Sequence, residues 1–126
     1  MTYFRRGCDD GYAFLPTPVS LATIACAAYV KPPTRGAQLA EREQEGTRSK
    51  LRAVFTAAER NQHDSLVLSA LGCGAFQNPP HAIAALIKEV SEEFRGAFRR
   101  VVIAIVENDG RDNLDPFFRE FPPETS

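Results

Sequence analysis

The chain has 126 residues, 44% hydrophobic and 25% charged, with a formal net charge of -1. That length suits one domain, and the apolar content excludes disorder throughout. So balanced a charge excludes a protein that neutralises many phosphates with lysine and arginine, but not one that holds a single nucleotide with backbone N–H groups.

Residues 1–19 mix Gly7, Gly11, Pro16 and Pro18 with charges at Arg5, Arg6, Asp9 and Asp10. They read as an irregular arm with a short strand at Tyr3 and Phe4. Residues 20–30 form a continuous apolar run that stops at Lys31-Pro32-Pro33. The run is well short of the roughly 18–20 residues of a membrane span, and it lies too far along the chain for a signal-peptide core. Continuous rather than alternating apolarity predicts a strand covered on both faces. Residues 32–36 are expected to be a loop.

From Ala37 to Asn61 the chain turns polar, with Leu51, Val54, Phe55 and Ala58 at helical spacing. This predicts one amphipathic helix whose first half, Glu41-Arg42-Glu43-Gln44-Glu45, is a solvated face or frayed start weakened by Gly46. Residues 65–71 predict a second apolar strand. It runs into Gly72-Cys73-Gly74-Ala75-Phe76-Gln77-Asn78-Pro79-Pro80. Asn78 suits a helix N-cap and Pro79 the first helical position, where no N–H is needed. Ile83, Ile87, Val90 and Phe94 then place an apolar stripe on a helix of about four turns. Residues 100–106 predict a third strand, residues 107–110 a turn, residues 113–121 a short last helix, and residues 122–126 a loose tail. Strand and helix alternate, so an α/β fold with a mainly parallel sheet is expected.

Gly72 and Gly74 lie where a strand gives way to a helix, the end of an α/β sheet at which ligands bind. Glycine lets backbone approach a ligand with no Cβ in the way, and successive N–H groups beside a helix N-terminus favour an anion. A phosphate or diphosphate ligand is sensible here, and Phe76 offers an aromatic face for a sugar or base. Spacing alone leaves open a glycine-rich turn that merely joins strand to helix.

The surrounding residues supply a resemblance. The run Leu66-Val67-Leu68-Ser69-Ala70-Leu71-Gly72-Cys73-Gly74-Ala75-Phe76-Gln77-Asn78-Pro79-Pro80 closely resembles the second ligand loop of microbial-type poly(ADP-ribose) glycohydrolases, a macrodomain-like family. The similarity continues through Ala84, Leu86 and Phe94 to Val101-Val102-Ile103-Ala104-Ile105. More loosely, residues 19–27 resemble the family's earlier core strand, and Tyr3-Phe4-Arg5 the segment before it. The resemblance implies a partial three-layer α/β/α fold: an arm at residues 1–19, the C-terminal part of the domain at 20–121 with three mainly parallel core strands and flanking helices, and a tail at 122–126. It implies ADP-ribose or poly(ADP-ribose) as ligand. Gly72, Cys73, Gly74, Ala75 and Phe76 would line the diphosphate and distal ribose, with Asn78 bracing the loop. The end of the last strand, at Glu107 and Asn108, would border the nucleotide. No metal or cofactor is implied.

The chain also departs from the family, whose hydrolases carry an earlier glycine-rich loop followed by Gln-Glu-Glu, one glutamate of which is the general acid. Gln44-Glu45 stands on the predicted helix without the glycines and is not that motif. Hydrolysis therefore awaits a complementary half; the alternatives are a non-catalytic interaction module or a truncated gene product. In the strand order 1-6-5-2-4-3 that the resemblance implies, the strands present are the fourth, fifth and sixth. The fifth and sixth are neighbours, and the fourth is separated from them by a strand this sequence lacks. That gap leaves unpaired strand edges, so the expectation is that another chain, as a complementary half or a homo-oligomer, fills it, or the sheet rearranges, or the product is marginally stable.

Other chemistry-bearing residues have plainer readings. Cys73 with His81 has the makings of a nucleophile and base, but no third group orients them. His63-Asp64-Ser65 has triad residue types at a helix-to-strand turn, where polar residues belong. Asp9-Asp10 and Glu92-Glu93 read as solvated surface. Phe117, Phe118 and Phe121 read as a helix lid on the sheet. Cys8, Cys26 and Cys73 are odd in number and widely spaced, which excludes a disulfide framework. With no export signal recognised, a cytoplasmic or nuclear location is expected.

Overall fold

The computed structural model describes residues 4–106 and 112–122. Its elements in chain order are β1 (Thr34–Arg35), β2 (Gln38–Leu39), α1 (Glu41–Arg60), β3 (Ser65–Leu68), α2 (Pro80–Glu93), β4 (Arg100–Ile103) and α3 (Leu114–Glu120), after a 3-10 turn at Cys8–Asp10. β3 and β4 pair in parallel with Ser65 opposite Arg100 and Leu68 opposite Ile103, so β3, α2 and β4 form one β-α-β unit. The Ala104 amide adds a bond to the Leu68 carbonyl at 2.8 Å beyond the ladder. This is the expected α/β architecture with a parallel sheet, in partial form.

Helix α2 is the centre of the core. Ala82, Ile83, Ala84, Leu86, Ile87 and Val90 are all buried, a wider stripe than the four-residue pattern predicts. The width follows from its position, since α1 packs on one flank of α2 and α3 on the other. Leu51, Phe55 and Ala58 of α1, Leu66 of β3 and Phe117 of α3 complete the cluster. Each fully buried Ile, Leu or Phe contributes about 1.5–3 kcal/mol. Phe94 ends α2 and closes an aromatic group with Phe55 at 5.3 Å and Phe98 at 6.4 Å.

Helix α1 is ordered from Glu41 through Arg60, including the half expected to fray. Two features hold it. Arg48 and Arg52, one turn apart, reach Glu89 and Glu93, one turn apart on α2, with Arg52 forked on Glu93 at 2.7 Å for both bonds. The ascending match shows that the helices run in the same direction. Gly46 also has a packing reason: a Cβ there would collide with the Tyr29 hydroxyl, so the glycine makes a seat for that ring. Residues 32–36, expected as loop, contribute instead to a small antiparallel hairpin, β1–β2, whose two-residue turn has Gly36 at φ 62°. A positive φ at the first central position suits glycine and the twist of the flanking strands.

Three expectations need correcting. Residues 20–30 form no ladder, and Leu21, Ile24 and Val30 are exposed, so the sheet has two paired parallel strands where three were expected. Apolar side chains alone do not make a strand: its amides and carbonyls need a neighbouring ladder, and none lies beside this segment among the described residues. Likewise the described helices share one core cluster, reached by Leu66, while Val67 on the opposite face of β3 is 71% exposed. The described residues thus supply two of the three expected layers. The last helix packs on α2 rather than serving as a lid on the sheet.

Candidate functional site

The loop at residues 72–78 leaves the C-terminal end of β3 and delivers the chain to α2. Its shape is set by internal bonds: Cys73 N to Ala70 O at 3.0 Å, Gln77 N to Gly74 O at 3.0 Å, and Asn78 N to Gly72 O at 3.0 Å. Gly72 has φ 72°, and a Cβ there would strike Ala28 and the Asn78 carboxamide. Only glycine meets both demands. Gly74 differs: a Cβ there would meet nothing within 4 Å. Gly72 serves the fold, whereas Gly74 keeps the loop's outer surface clear.

Asn78 is 2% exposed and is the loop's anchor. Its Nδ2 donates to Tyr29 O at 2.7 Å and Gly72 O at 3.1 Å. It is not the helix N-cap that the spacing predicts. Pro79 holds that position and makes no side-chain cap bond. The physical reason is polarity: a cap must accept from helix amides, whereas this carboxamide is turned inward as a donor to carbonyls. Its Oδ1 is buried without a hydrogen-bond partner among the described residues. The bracing role expected of Asn78 is met by this different device. Lys31 N adds a bond to Phe76 O at 2.7 Å, so residues 28–31 form the loop's back wall. Ala28, Tyr29 and Lys31 carry no local sequence signal for this task, because their contribution is backbone and close packing.

The outer surface consists of Gly74, Ala75, Phe76 and Gln77, all exposed. The amides of Ala75 and Phe76 donate to no acceptor among the described residues. Pro79 and Pro80 have no N–H, so an anion at this end of α2 must take its nearest donors from the loop. Phe76, 39% exposed, supplies an aromatic surface beside them.

Cys73 is buried, and burial pushes its thiol up to about 12. A thiol that stays protonated at neutral pH is no nucleophile, and His81 is exposed on α2. The loop therefore holds no carboxylate, imidazole or ionisable thiol that could pass a proton.

The other residue groups take their plain readings. Ser65 Oγ donates to the neighbouring Asp64 at 2.7 Å rather than to an imidazole. Glu92 pairs with Arg95 and Lys88, and Glu93 with Arg52. No three His, Cys, Asp or Glu side chains are grouped to hold a metal among the described residues. Glu107 and Asn108 lie outside the described residues. No described helix is long and apolar enough to cross a membrane.

No family model matches the chain, and no curated protein is similar to it. Solved structures are. Poly(ADP-ribose) glycohydrolase from Deinococcus radiodurans in complex with ADP-ribose is 32% identical, with a TM-score of 0.76 over 93% of this chain and 48% of that one. A threonine-to-lysine mutant of that enzyme, also with ADP-ribose, gives a TM-score of 0.78 at 32% identity over 94% and 48%. The apo form gives 0.76 at 32% identity over 93% and 48%. The chain thus spans about half the length of the enzyme it matches. At 32% identity over 93% of its length, the chain is a partial poly(ADP-ribose) glycohydrolase-like protein.

Proposed function

We propose that this chain is an ADP-ribose-binding module whose residues 72–76, braced by Asn78, hold the diphosphate and distal ribose, with Asn108 bordering the nucleotide. One observation carries the reading. Among the described residues, the loop's own bonds and the Asn78 anchor leave the Ala75 and Phe76 amides unused beside an exposed aromatic ring. The likeness to enzymes solved with ADP-ribose supports the choice of ligand. The domain part is residues 20–121, and three free thiols favour a reducing cytoplasmic or nuclear setting. Hydrolysis of ribosyl bonds belongs to an assembly in which another half supplies the Gln-Glu-Glu acid. A loop without a proton donor favours binding without cleavage for the chain alone.

Calorimetric titration with ADP-ribose tests this. Binding of roughly micromolar strength is expected, and it should be lost in Gly74→Val, where the new side chain enters open space in front of the loop. A folded chain that takes up no ADP-ribose, or a Gly74→Val variant that binds equally well, would overturn the reading.

A further inference from the structure

We infer that Lys50 of α1 is a positioning residue for the ligand loop: by gripping Tyr29 and the Ala27 carbonyl it holds residues 27–31 against residues 72–78, and so fixes the shape in which the loop presents the Ala75 and Phe76 amides. The inference deepens the proposed function and rests on its reading of residues 72–76 as the ligand loop.

The grip has a helix side and a loop side. On the helix side, the Lys50 ammonium donates to the Ala27 carbonyl at 2.8 Å and lies 4.1 Å from the centre of the Tyr29 ring. One turn earlier, Gly46 leaves the space that the hydroxyl end of that ring fills. Positions four apart share a helix face, so the ring is held between the glycine and the ammonium. On the loop side, the same short segment meets the loop three times. The Tyr29 carbonyl accepts from Asn78 Nδ2 at 2.7 Å, the Lys31 amide donates to the Phe76 carbonyl at 2.7 Å, and the Ala28 methyl stands where a side chain on Gly72 would go. Among the described residues no ladder holds the segment from upstream. Its fixed point is α1.

Backbone strain shows that something must do this work. Lys31 has φ 46° and Gln77 φ 55°, and neither is glycine. A left-handed backbone is unfavourable for a residue with a Cβ and persists only where the surroundings enforce it. Lys31 also precedes a proline, which narrows its backbone further. The two strained residues flank one bond, since Lys31 supplies its donor and Gln77 follows its acceptor, Phe76. The Lys31 side chain is exposed, so the constraint comes from its neighbours: the gripped residues 27–29 before it and the buried Pro32 after it.

Hydrogen exchange of the free chain, followed by NMR, tests this with Lys50→Met and Lys50→Arg. Methionine keeps the length and helix preference and removes the ammonium, whereas arginine keeps a cationic donor that suits both a carbonyl and an aromatic face. In Lys50→Met the amides of Lys31, Gln77 and Asn78 should exchange about tenfold faster, from the loss of one hydrogen bond and one cation–π contact. Those of Ile87 and Val90 in α2 should keep their protection. ADP-ribose, titrated afterwards by calorimetry, should bind Lys50→Met about three- to tenfold more weakly, and Lys50→Arg should restore both readouts. Unchanged loop exchange in Lys50→Met would overturn the inference. So would faster exchange spread evenly through α1 and α2, which would make Lys50 a general stabiliser. Equal loosening by Lys50→Arg, or a loosened loop that binds ADP-ribose as tightly as before, would overturn it too. A wild-type chain that takes up no ADP-ribose would end the ligand reading alone, because the exchange is measured without nucleotide.

Discussion

The α1–α2 pair and residues 19–30 are both rich in apolar side chains, and the molecule treats them oppositely. Phe55, Ile83 and Val90 in the helices are fully buried, while Val19, Leu21 and Val30 are more than half exposed. A helix satisfies its own amides, so it needs only one neighbour to cover its apolar stripe. A strand must find backbone partners as well, and residues 19–30 have none in a ladder. The two helices therefore become core on their own account, whereas the segment remains core in composition only.

That contrast can be broken by mutation. Phe55→Ala should cost about 3–5 kcal/mol in urea unfolding, while Leu21→Ala should change stability by less than about 0.5 kcal/mol. Equal costs would mean that residues 19–30 are buried after all. Next in size is a contrast inside the loop. Gly72→Val meets both a left-handed φ and a collision with Ala28 and Asn78, and should cost roughly 2–4 kcal/mol. Gly74→Val should cost less than about 0.5 kcal/mol, because its Cβ meets nothing. Thermal melts of the pair check this.

Much of the buried side was legible in residue spacing. Leu51, Val54, Phe55 and Ala58, together with Ile83, Ile87 and Val90, are the inward faces of α1 and α2. The run after Leu71 marks the loop at the carboxyl end of β3. What escaped depends on partners far away in sequence. Apolar content at residues 20–30 reads as strand because composition does not report whether a neighbour exists. Asn78 reads as a cap because its position is right, whereas its carboxamide is turned inward to the Gly72 carbonyl and to that of Tyr29, 49 residues away. Gly46 reads as a weak point because nothing local announces the Tyr29 ring.

Smaller effects sharpen the picture of the helix pair. Arg48→Ala should cost about 1 kcal/mol, from a partly covered pair with Glu89 and Glu45 and the packing of its stem. High salt should leave most of the pair's stability intact, which comes from packing. Titration gives the weakest signals. Hydrogen bonds from Arg95 and Lys88 hold the Glu92 carboxyl below its usual range, and Arg52 does the same for Glu93. Their contribution is present above the unfolded carboxylate range and is lost as pH falls through the lowered folded values. For Cys73 the sign reverses. Its folded thiol is raised to about 12 from 9.0, so stability declines as pH rises through that interval. A thiol reagent at neutral pH should label Cys8 and Cys26 and spare Cys73 until the chain unfolds.

The bond from Asn78 to the Tyr29 carbonyl spans 49 residues, and the one from Lys31 to Phe76 runs beside it. The chain closed by these ties contains the β1–β2 hairpin, α1 and β3. Closing so long a stretch is entropically costly, and contacts distant in sequence form slowly. The hairpin, the helices and their short-range contacts should gather first, and the ties should close last. In pulse-labelling during refolding, the α1 and α2 amides would gain protection before that of Lys31. The loop would then be the last part of the molecule to acquire its working shape, and the first to lose it when the chain is strained.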